Sequence, residues 1–90
     1  MIRITDGAKN RLRRIWFNRI RKPGFILRLA VNRGGQVGLT TSEQKTSDEV
    51  YENKGKKILL IDQELAAILD DTTLDIRGRK KERVLYLLHK

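Results

Sequence analysis

The side chains able to do chemistry in this chain are mostly cations, and they are gathered rather than scattered. Arg11, Arg13, Arg14, Arg21 and Lys22 form a first group, in which arginine outnumbers lysine. A guanidinium presents a planar fork of donors, so this group could hold an anion or follow a nucleic-acid backbone. A solvated charged face is the plainer reading. Against it, the first 22 residues carry eight Lys or Arg and a single Asp, more than solubility asks for. Arg77, Arg79, Lys80, Lys81 and Arg83 form a second group, which reads as a hairpin loop kept soluble by its charge.

Between the two groups lies Arg33-Gly34-Gly35-Gln36-Val37-Gly38. Its backbone N–H groups could converge on a phosphate or carboxylate as an anion nest. It lacks the Lys and Ser/Thr of a phosphate-binding loop, and as a bare hairpin connection it needs no ligand. His89 is the sole histidine and reads as a frayed surface residue, since one imidazole makes no metal site. Cysteine is absent, which removes disulfides, thiol catalysis and thiolate-held metal together. No Ser-His pair or paired carboxylates mark a reaction centre, so the expectation is a protein that is not an enzyme and has no cofactor.

The elements that must position these groups follow from periodicity. Ile2 to Ile4 reads as a short strand, with Thr5 or Asp6 capping a helix. Ala8, Leu12, Ile15, Trp16 and Ile20 recur at spacings of three and four, the apolar stripe of an amphipathic helix ended by Lys22-Pro23-Gly24. Phe25, Leu27, Leu29 and Val31 alternate with Ile26, Arg28 and Ala30, a half-buried strand. Asn32 to Gly38 then supplies glycines for a tight turn with positive φ, and Leu39 to Lys45 reads as the return strand. Val50 to Glu52, a turn at Asn53-Lys54-Gly55, and Lys56 to Ile61 read as a hairpin. Asp62 caps a short helix with Leu65, Ala66, Ile68 and Leu69 inward, which Asp70-Asp71-Thr72-Thr73 breaks. Leu74 to Ile76 and Arg83 to Leu88 read as a closing hairpin.

The 90 residues form one domain, 1–90, with a single modest core. No apolar run is long enough to cross a bilayer, and the first residues do not read as a signal peptide, so no membrane role and a cytoplasmic location are expected. Twenty basic residues against eleven acidic give a net charge of +9, which favours anionic partners such as nucleic acid, acidic proteins or lipid headgroups.

Taken in order, these pieces resemble the HesB/IscA family of A-type iron–sulfur carrier proteins. The resemblance rests on Ile4, Thr5 and Ala8; on Gly24, Phe25, Leu27 to Leu29 and Val31; and on Gly34, Gly35 and Gly38. It continues through Asp48, Val50 to Glu52, Lys54 and Gly55, then Asp62, and ends with Leu69, Asp70 and Leu74 to Ile76. It implies a mainly β (α+β) fold: a compact HesB-like arrangement of packed mixed β-sheets with an N-terminal amphipathic helix and one short internal helix. It also implies binding of iron or an iron–sulfur cluster and its transfer to apo-proteins. Family members carry one cysteine in the glycine loop and a Cys-x-Cys pair beyond the last strand. The loop position aligns with Gln36, and the pair has no counterpart before Lys90. A neutral carboxamide is a poor substitute for a thiolate that must hold iron and bridging sulfide.

The expectation is therefore a family-like domain that carries no cluster through cysteine and acts by protein contacts. Its partners would be iron–sulfur machinery or a cysteine-bearing relative, with self-association into a homo-oligomer open. The alternative is anion or nucleic-acid binding through the basic N-terminal helix.

Overall fold

The computed structural model describes residues 2–20, 22–31, 37–78 and 84–89. In chain order they form β1 (Arg3–Ile4), α1 (Asp6–Arg19), β2 (Phe25–Val31), β3 (Val37–Glu43), β4 (Glu49–Asn53) and β5 (Lys56–Ile61). These are followed by α2 (Gln63–Ile68), β6 (Thr72–Arg77) and β7 (Val84–His89). One sheet runs β1-β6-β7 and the other β3-β2-β5-β4. Both are mixed: β1 lies parallel to β6 and β2 parallel to β5, while the remaining pairs are antiparallel. The mainly β architecture with an N-terminal and a short internal helix is the one expected.

β5 is the strand with the least access to water, Ile58, Leu59, Leu60 and Ile61 all being 0% exposed. A continuous apolar run of this kind belongs to a strand covered on both faces, unlike the alternating pattern of β2. Within β2, Leu27 and Leu29 enter the core, whereas Val31, expected on the same inward face, is exposed at the strand's end. Ala8 and Leu12 of α1 are fully buried, and Ile15, Trp16 and Ile20 pack against the same cluster. Gly7 permits the close approach of α1 to β6: a Cβ there would sit 3.0 Å from Ile76 Cδ1.

Two side-chain systems tie distant segments together. The Thr5 hydroxyl accepts from Ala8 N at 3.2 Å, capping α1, and donates to Asp75 Oδ1 at 2.7 Å. That donation, with the Ile76 N–H, holds the Asp75 carboxyl below the usual carboxylate range. Arg28 donates to both oxygens of Asp48, from Nη1 at 2.8 Å and Nη2 at 2.5 Å, and from Nε to Ser42 Oγ at 2.6 Å. Asp48 also accepts from Lys45 N at 2.7 Å, so one carboxylate fixes the β3–β4 connection against β2. Thr5→Val, close in shape but without the cap, should lower stability by about 1 kcal/mol. The midpoint of urea unfolding followed by far-UV circular dichroism measures it.

Several boundaries differ from expectation for local reasons. α1 ends at Arg19, ahead of Lys22-Pro23-Gly24, because Ile20 leaves helical space (φ −78°, ψ 116°) with its N–H still bonded to Trp16 O and its side chain on the core. β3 starts at Val37, and Gly38 is a paired strand residue opposite Ala30 rather than part of a turn with positive φ. The strand also stops at Glu43 rather than at Lys45. Ile68, expected inward, is 76% exposed, because a six-residue helix buries only Ala66, Leu69 and part of Leu65. Thr72 does not merely break α2: its hydroxyl and N–H both donate to Leu69 O, and it opens β6 at the same time. The backbone of His89 pairs with Thr72 in β7 instead of fraying.

The turn at Lys54-Gly55 has positive φ at both residues, 52° and 79°, the two-residue hairpin geometry that suits the twist of β4 and β5.

Candidate functional site

The inward stripe of α1 leaves its opposite side to solvent, and there the chain's cations gather. Asn10, Arg13, Arg14 and Phe17 form the crest of that side. Arg11 and Asn18 flank them, and Lys56, from the start of β5, closes the border. Together they line a shallow concavity of about 900 Å³. Phe17 is 74% exposed. Five positions beyond Leu12, it falls across the helix from the buried stripe.

The electrostatics of this face are one-sided. Arg11, Arg13, Arg14 and Lys56 contribute four cations to the lining, and among the described residues no carboxylate lines it. Among the described residues, no ion pair occupies the three arginines. Lys56 Nζ lies 3.5 Å from the centroid of the Trp16 ring, a cation–π contact that fixes the lysine and covers that face of the indole.

Elsewhere the ionisable groups serve the fold. The Asp48 side chain is 0% exposed beneath Arg28, and the guanidinium holds its carboxyl below the usual range. Burial pushes the Tyr51 phenol far above its ordinary value, and its hydroxyl donates to Glu49 Oε2 at 2.8 Å. Among the described residues, no three His, Asp or Glu side chains gather as a metal ion would need.

The structure divides the residues singled out from sequence. It brings Arg11, Arg13 and Arg14 to one surface. Lys22 lies beyond the end of α1, with its ammonium 5.4 Å from the Phe25 ring centroid, and so does not belong to the helix face. Arg21, Gly34, Gly35, Gln36, Arg79, Lys80, Lys81 and Arg83 lie outside the described residues. Arg77 is the last residue of β6, stacked 5.1 Å from the Tyr86 ring centroid, rather than part of a loop. Phe17, which no motif singled out, stands at the crest of this face. Its place off the apolar stripe was the available signal. Lys56 joins through a contact between residues forty apart, which no local pattern announces.

No family model matches the chain, and no curated protein matches it either. Solved structures do. The crystal structure of Escherichia coli SufA, a protein involved in biosynthesis of iron–sulfur clusters, is 21% identical with a TM-score of 0.75, the match covering 98% of this chain and 84% of that one. The crystal structure of IscA with the [2Fe-2S] cluster is 17% identical with a TM-score of 0.63, covering 99% and 85%. A solution structure of an Aquifex aeolicus protein is 22% identical with a TM-score of 0.68, covering 99% and 91%.

At these identities the likeness establishes a shared fold. The donor set does not follow it. A cluster of the kind bound to that IscA needs soft anionic ligands, and these 90 residues contain no cysteine. The residues present do not fit such a cluster.

Proposed function

We propose that this chain, which has the fold of SufA and IscA, is a non-enzymatic relative of iron–sulfur assembly proteins. It does not ligate a cluster through cysteine and works by contact with protein partners in the cytoplasm. Iron–sulfur machinery or a cysteine-bearing relative is the expected partner. The observation that carries this reading is the pairing of a scaffold matched over 98–99% of the chain with a sequence free of cysteine. Keeping the fold while losing the ligands leaves surfaces, rather than a ligand site, as the means of action.

Anaerobic incubation with ferrous iron and sulfide, followed by desalting, tests the first half. The expected outcome is protein without visible thiolate–iron absorption and without stoichiometric iron. A stoichiometric chromophore would falsify it. The second half is tested by mixing with a cysteine-bearing HesB-type protein of the same host and measuring mass by light scattering, where a hetero-complex is expected.

A further inference from the structure

We propose that the outer face of α1 is a docking site for an acidic amphipathic helix of a partner protein. Phe17 enters the partner's apolar stripe, and Arg11, Arg13, Arg14 and Lys56 pair with the carboxylates that flank it. This rests on the protein-contact reading above and gives it a surface and a partner chemistry.

Three observations select this occupant. Phe17 is 74% exposed at the centre of its face, and aromatic side chains ringed by arginine are the composition that dominates interface energetics. Among the described residues the lining carries four cations and no carboxylate, so a second copy of the same face would meet like charge, whereas an acidic partner is complementary. Single-stranded nucleic acid binds by stacking successive bases on several aromatic platforms. Here the Trp16 ring is covered by Lys56 at 3.5 Å, which leaves Phe17 alone. A partner helix with one apolar stripe can take the Phe17 ring into that stripe and present carboxylates on either side to the flanking cations.

The test uses the intact protein and labelled probes in fluorescence anisotropy at low and moderate salt. The first probe is a synthetic helix with leucines at three- and four-residue spacing and glutamates elsewhere. The second has the same composition with the leucines scattered, and the third is an oligothymidylate. The first probe is expected to bind most tightly. Phe17→Ser should weaken it roughly tenfold or more, the size of a truncated hot spot. R13E combined with R14E should abolish it. Both changes lie on solvent-facing positions, and an unchanged circular dichroism spectrum confirms the fold.

Tighter binding of the oligothymidylate, equal binding of ordered and scattered leucines, or indifference to Phe17→Ser would each overturn the assignment. If the cysteine-bearing relative pairs equally with the wild type and with the R13E/R14E variant, this surface is wrong and the contact reading stands. If the relative pairs with neither while the ordered peptide still binds, the surface stands and that choice of partner fails.

Discussion

Arg28→Ala should destabilise the protein by about 3 kcal/mol or more, because it strands a carboxylate that has no access to water. The Asp48 side chain is 0% exposed, and both its oxygens accept from the Arg28 guanidinium. Removing the guanidinium takes away two charge-assisted bonds and the bond to Ser42 Oγ, leaving the Lys45 N–H as the donor that remains. The effect has a pH signature. In the wild type the carboxyl is held below its ordinary value, so its contribution is complete above about pH 4 and is lost as the pH falls through the lowered folded pKa. In the variant the buried, unpaired carboxyl favours its proton instead. The deficit should therefore be greatest at neutral pH and shrink under acid. Urea midpoints at pH 7 and near pH 3.5 compare the two, and a deficit that grows in acid would refute the account.

Leu12→Ala should cost about 2–5 kcal/mol, the range for a buried leucine whose cavity cannot collapse. Leu12 is 0% exposed and lies at the middle of the stripe that Ala8, Ile15, Trp16 and Ile20 continue. Its loss loosens the helix from both sheets, since α1 packs on β2 and β5 of one and β6 of the other. Domains of this size are stable by only roughly 5–15 kcal/mol, so the variant should unfold at markedly lower urea. Phe17→Ser, on the opposite side of the same helix, should barely move that midpoint. The contrast separates a residue that holds α1 in place from one that α1 displays.

The legible part of this fold was whatever repeats locally. The stripe of α1, the alternation of β2, the continuous run of β5 and the Asn53-Lys54-Gly55 turn each carry a short-range signature, and each formed where expected. What sequence could not give was set by contacts between distant residues. Ile20 leaves the helix early to reach the core, Thr72 serves two elements at once, and Lys56 arrives over Trp16 from another strand. The fragments that suggested a HesB/IscA resemblance prove to be each other's partners. Arg28 from one grips Asp48 from another, and Thr5 from a third bonds Asp75 from a fourth. They encode how the scaffold closes, so their presence together is compatible with a chain that contains no cysteine. The arginines of the candidate face were visible as a charge surplus. That three of them share a surface with Phe17, and that Lys22 does not, required the helix to end where it does.

The bond from Thr5 to Asp75 spans seventy positions, and β1 runs alongside β6 with Arg3 opposite Thr73. During synthesis the basic helix is therefore made well before β6 and secured late, since closing so wide a loop must wait for that strand. Until then the oily side of that helix has only β2 and β5 to lie on. During synthesis this strongly cationic segment is only partly anchored, and whatever shelters it then must tolerate both properties at once.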